Sequence, residues 1–239
     1  MHEALDEWRR LREAGGRRVT IIDLYELVGR PRGLAPHELP LAERRELAAA
    51  ALPEAWSGFA TTPGSERQPD PIEIGEYDPA WPDRYERWRA AIAEVLGEAA
   101  LRIEHVGSTA VPGIPAKPVI DVQVSVADVE RETDYVEQLE SIGLQLRSRD
   151  DVHRFFRPFP DRPRDVHVHV CGSGSEWERE HLLFRDYLRA HPEARAEYAA
   201  AKHRAAELWA DDRIAYTEAK TDTILGIMAA AERWVAGSS

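Results

Sequence analysis

The chain has 239 residues, 43% hydrophobic and 31% charged, with a formal net charge of −12 at pH 7. That balance suits a globular protein with one ordinary domain and an appendage, and no apolar run reaches the roughly 18 residues that span a bilayer. The negative charge argues against general nucleic-acid binding, and the single Cys171 excludes an intramolecular disulfide framework.

The N-terminus, "MHEALDEWRRLREAGG", lacks the apolar core of a signal peptide, which with the cysteine usage predicts a cytoplasmic location. Residues 1–60 read as a helical segment. "EALDEWRRLREAGG" and "LAERRELAAAAL" have helical patterns, and in the ambiguous "VTIIDLYELVG" the spacing of Leu24, Leu27 and Val28 favours helix. The segment carries no recognisable chemistry and is expected to dock on a protein partner or on its own chain. Residues 61–71, "TTPGSERQPDP", read as a linker, and residues 72–239 as the main domain.

That domain opens with "DPAWPDRYERWRAAIAEVLGEA", whose Tyr85, Trp88, Ile92 and Val95 recur at helical spacing as core residues. The strand "LRIEHVG" follows, then a loop, then the strand "PVIDVQVSV". A helix is predicted over "DVERETDYVEQLESIG", leading to "LQLRS", "HRFFRP" and the strand "DVHVHVCG". Three helices close the chain: "EWEREHLLFRDYLRAH", "PEARAEYAAAKHRAAELWA" and "RIAYTEAKTDTILGIMAAAERWV". The class is α+β with a helical tail.

Side chains alternate across a strand. Asp121, Gln123 and Ser125 therefore share one face of the first strand, and Asp165, His167, His169 and Cys171 one face of the second. If the strands are neighbours, Asp121, Gln123, His167 and His169 line one surface, where carboxylate suits Mg²⁺ and imidazole suits Zn²⁺. A solvated sheet face would give the same alternation. Ahead of Asp121, Gly107 and Ser108 leave a strand end where backbone and hydroxyl can meet an anion, and Lys117 is held between two prolines.

Of 31 Lys plus Arg, only Lys117, Lys202 and Lys220 are lysines. Tyr198 with Lys202 and Tyr216 with Lys220 form i,i+4 pairs that would bring two ammonium groups to the same phosphate. Snorkelling lysines on an amphipathic helix are the alternative. Arg185 and Arg189 are weaker candidates for anion contacts.

"HVGSTAVPGIPAKPVID", followed by "HVHV" and "FRDYLRAHPE", resembles the GrpB family over roughly residues 72–236. The resemblance implies a nucleotidyltransferase-like fold, a mixed β-sheet with flanking helices, and similar domains occur attached to dephospho-CoA kinase. In that superfamily a Gly-Ser turn holds nucleotide phosphates and carboxylates on two strands hold metals. Gly107 and Ser108 match the turn and Asp121 the first carboxylate, but Gln123 stands at the second and His167 and His169 replace the third. A neutral amide does not supply a carboxylate's charge, which counts against ordinary two-metal catalysis.

The resulting expectation is an enzyme acting on or binding a nucleotide or other phosphorylated small molecule, a nucleoside triphosphate for instance, with a divalent metal. Asp121, His167 and His169 would be catalytic and, with Gln123, would hold Mg²⁺ in the first instance or Zn²⁺ or Mn²⁺. Gly107, Ser108, Lys117, Lys202, Lys220 and Tyr216 would hold phosphate. The alternative is a non-catalytic nucleotide- or anion-binding module, or a protein-interaction domain.

Overall fold

A computed structural model describes residues 6, 7, 10, 27, 28, 30–34, 39, 40, 43, 47, 60, 61, 72–210, 216, 217 and 219–237. The helices expected in residues 1–60 lie almost wholly outside these. Their described positions, Asp6, Glu7, Arg10, Leu27, Val28, Glu43 and Leu47, are helical.

Six strands form one mixed sheet in the order β1-β4-β5-β6-β3-β2. They are β1 Ala60–Thr61, β2 Arg102–Val106, β3 Ile120–Val126, β4 Leu144–Arg149, β5 His153–Pro158 and β6 Val166–Gly172. Among the described residues only β3 and β6 run parallel, and the other pairings are antiparallel. The two-residue β1 pairs with the end of β4, so the predicted linker begins inside a strand at Thr61.

Alternation decides what each sheet face packs against. Ile120, Val122, Val124 and Val126 of β3 and Val166, Val168 and Val170 of β6 are essentially inaccessible to water. They form the main core with Ile92 and Leu96 of α1 (Trp81–Leu96) and with Leu139 of α2 (Val136–Ser141). Pro82 suits the first turn of α1, where its missing N–H would have no partner. The α2 helix is much shorter than predicted. Tyr135 takes a φ of −148° that breaks the helix, its ring is fully buried, and its hydroxyl donates to the Val129 carbonyl at 2.5 Å.

The opposite face is polar, and the tail helices cover only part of it. They are α3 (Glu176–Ala190), α4 (Pro192–Leu208) and α5 (Thr221–Ala236). At the N-terminus of α3, Ser175 accepts from the Glu178 amide, and the Glu178 carboxylate accepts from the Gly174 amide and, at 2.5 Å, from the Ser125 hydroxyl. This capping arrangement ties the helix over the far end of β3 and leaves the Asp121 end open. The loop after β2 is fixed by Val111 and Ile114, which pack with Leu188, Ala194, Tyr198 and Ile227 of the three tail helices. Among the described residues, no helix is long and apolar enough to cross a membrane.

Candidate metal and anion site

The parallel register of β3 and β6 sets Asp121 opposite His167 and Gln123 opposite His169. The two polar rows therefore lie side by side, as the alternation predicts. His167 Nδ1 is 3.1 Å and His169 Nε2 3.7 Å from Asp121 Oδ1. One donor atom from each of the three residues lies within 4.8 Å of the others, close enough for all to meet one metal ion.

A chain of contacts runs behind His169. Its Nδ1 is 2.9 Å from His153 Nε2, and His153 Nδ1 is 3.3 Å from Asp150 Oδ2. The carboxylate can only accept, so His153 Nδ1 carries a proton, and in the tautomer with a single ring proton its Nε2 accepts from His169 Nδ1. The lone pair of His169 Nε2 then faces Asp121. Burial, opposed by the Asp121 contact, pushes the His169 pKa down to about 4, so protonation does not fill the gap near neutral pH. A metal ion between that lone pair and the carboxylate would complete the arrangement of a metal ligand and its supporting partner. Burial works against the Asp121 charge, but the contact with His167 keeps its carboxyl below the usual range.

Gly107 is required at this position. Its φ is +70°, and a Cβ there would lie 2.2 Å from Asp121 Oδ2. The turn thus presses its backbone against the carboxylate, and Ser108–Ala110 continues as a 3-10 turn. Behind it, Thr109 Oγ1 donates to the Val119 carbonyl and lies 3.0 Å from His105 Nε2. Burial pushes the His105 pKa down to about 4, so the ring is neutral and Nε2–H donates to the hydroxyl.

The three lysines converge on this loop. Lys117 and Lys220 approach the Tyr216 ring, at 5.1 and 4.0 Å from its centroid, and Lys202 sits 5.4 Å from that of Tyr198. Lys202 is 2% exposed and donates to the Pro115 carbonyl at 2.6 Å. Burial and the charges of Lys220 and Lys117, partly offset by Asp121, push its pKa down to about 7. Burial and Lys117 lower that of Lys220 to about 8. Ser108 lies within hydrogen-bonding reach of the Tyr198 hydroxyl. Of the sequence-selected residues, Gly107, Lys202 and Lys220 therefore lie near Asp121, Lys117 and Tyr216 are grouped with Lys220, and Ser108 with Tyr198.

Other expectations change. Tyr216 and Lys220 do not share a face of α5, because α5 begins at Thr221 and Lys220 is its N-terminal flanking residue. Arg185 is bound to Glu104 and Asp186, each at 2.7 Å, and Arg189 donates to the Ala110 carbonyl, so both hold structure together. Gln123 lies on the site face but is fully buried, with neither amide atom hydrogen-bonded. Sequence reasoning passed over Asp150, His153, Phe155 and Trp177. Trp177 stacks on His153 at 4.8 Å, and Phe155 lies 5.1 Å from His167 and 5.2 Å from His169. The alternation of His153, Phe155 and Arg157 in "HRFFRP" was the available signal.

Comparison with known proteins points one way. A profile of the GrpB protein family matches residues 71–230. The UPF0157 protein SCO7215 of Streptomyces coelicolor is 44% identical over 161 residues, spanning 66% of this chain and 84% of that protein. The crystal structure of the conserved protein GrpB from Enterococcus faecalis aligns with a TM-score of 0.61 at 32% identity, covering 68% of this chain and 99% of that one. A dephospho-CoA kinase of Mycolicibacterium paratuberculosis is 35% identical over 180 residues, which cover 63% of this chain and 43% of the kinase.

Proposed function

Since the chain belongs to the GrpB family, we propose that its site binds a phosphorylated small molecule, a nucleotide in the first instance, together with a divalent metal ion. The observation that carries this reading is the convergence of three ammonium groups and a glycine-serine turn on a carboxylate flanked by two imidazoles. Lys202 is a buried and Lys220 a half-buried cation whose lowered pKa values signal missing negative charge, and a polyphosphate would supply it. Asp121, His167 and His169 would hold the metal, which when bound would draw electron density from a phosphoryl oxygen. One carboxylate with two imidazoles suits Zn²⁺, Mn²⁺ or another transition ion better than the all-oxygen preference of Mg²⁺. A relative named dephospho-CoA kinase, of which the match covers 43%, lends this reading support.

A transferase reaction and a binding module both fit this ligand set. Gln123 favours the binding module, because an amide occupies the position of a second metal carboxylate. Thermal shift and titration calorimetry with a nucleoside triphosphate, with and without Mn²⁺, Zn²⁺ or Mg²⁺, test the proposal. Saturation a hundredfold above Kd stabilises by about 2.7 kcal/mol. Metal-dependent nucleotide binding supports the composite site. Metal-independent binding favours an anion sensor, and the absence of any response to nucleotide overturns the proposal.

A further inference from the structure

Two phenylalanines follow one another in β5, and alternation sends them to opposite faces of the sheet. Phe156 is fully buried in the main core. Phe155 is half-buried on the polar face and belongs neither to that core nor to the apolar clusters around the tail helices. A large apolar ring left partly open to water forgoes much of the stabilisation that core burial gives.

The rings beside Phe155 are imidazoles. His167, His169 and His153 lie 5.1, 5.2 and 6.4 Å from it and are inclined to it by 69°, 35° and 32°. Among the described residues, no ring stacks parallel on Phe155. The nearby Trp177 is engaged elsewhere, stacked on His153 at 4.8 Å and on His181 at 3.6 Å.

The register fixes where Phe155 stands. It lies opposite His169 on β6, and β6 pairs in turn with β3, which carries Asp121. Phe155 is thus two strands, about 10 Å, from the Asp121 strand. The loop that carries Gly107 and Lys117 joins β2 to β3, on the other side of the metal group in the strand order. That loop, the Asp121 group and Phe155 follow one another across the sheet.

We propose that Phe155 is the stacking platform for the flat aromatic part of the ligand, the base of a nucleotide whose phosphates lie toward Gly107 and the lysines. The platform rests on the phosphate and metal reading of the site and adds to it the position of the base. Every nucleobase presents a π-face, so such a platform accepts a base without selecting which one.

Calorimetric titration of the full chain, with Mn²⁺ present, compares adenosine triphosphate with methyl triphosphate, which has the same charge and no base. Wild type should bind the nucleotide about ten- to hundredfold more tightly. Phe155→Leu should close most of that gap, and Phe155→Tyr, which keeps the ring, should preserve it. Equal wild-type affinity for the two ligands overturns the platform and leaves the phosphate and metal reading standing. A gap that survives in Phe155→Leu overturns it too, including where both affinities fall in proportion because His167 and His169 are displaced. If wild type binds neither ligand, the phosphate and metal reading falls and the platform falls with it.

Discussion

Replacing Lys202 by Met should stabilise the ligand-free protein at pH 7 and destabilise it at pH 10. The folded protein holds this ammonium with a pKa near 7 against an ordinary 10.5. The unfolded chain therefore binds the proton more tightly, and stability attributable to this group rises with pH between the two values. Below about pH 7 the penalty is complete. A gap of about 3.5 pH units at about 1.4 kcal/mol each gives an upper bound of about 4 kcal/mol at pH 7, falling below about 1 kcal/mol by pH 10. The variant also removes the donor to the buried Pro115 carbonyl, which costs about 1–3 kcal/mol at either pH. The net expectation is a gain of about 2 kcal/mol at pH 7 and a loss of about 1 kcal/mol at pH 10. Phosphate affinity should fall about ten- to hundredfold in the same variant, because a charge-assisted bond is lost. Urea denaturation of both proteins at the two pH values measures the first effect. A variant destabilised equally at both would refute the reasoning, since Lys202 would then hold no uncompensated charge.

Gly107→Ala should destabilise by more than about 1 kcal/mol and lower metal affinity, because its Cβ would meet both an unfavourable φ and the Asp121 carboxylate; denaturation and metal titration check both. His153→Phe keeps the stacking on Trp177 but frees His169 Nδ1, so Zn²⁺ or Mn²⁺ affinity should drop about ten- to hundredfold with little change in melting, and unchanged affinity would remove the relay from the site. A chain beginning at Pro71 should unfold cooperatively. It keeps Ile72, which packs with Ala205, Trp209 and Tyr216, and gives up the two-residue pairing of β1 and the buried Val28, Leu39 and Leu47. Aggregation, or a melt without a transition, would place the N-terminal residues in the main core.

The strands were legible because their information is local. A period of two in "PVIDVQVSV" and "VHVHVCG" is written residue by residue, and once both apolar rows must be buried in one core, Asp121, His167 and His169 necessarily share the other face. The glycine-serine turn and the scarcity of lysine were equally visible. The helix over 128–143 was misread because periodicity cannot register that Tyr135 gains more by burying its ring than by continuing the helix. Arg185 and Arg147 carry the same side chain, yet one is matched to Glu104 and Asp186 and the other to no carboxylate among the described residues. Asp186 is a chain neighbour of Arg185, but its other partner, Glu104, is 81 residues away and no local pattern announces it. The Asp150–His153–His169 relay and the burial of Lys202 against Pro115 likewise exist only after distant segments pack. Alternation and turn chemistry select the residues that can form a site, because they act between neighbours in the chain. Their charge state and partners follow from long-range packing, because desolvation and hydrogen-bond pairing act between neighbours in space.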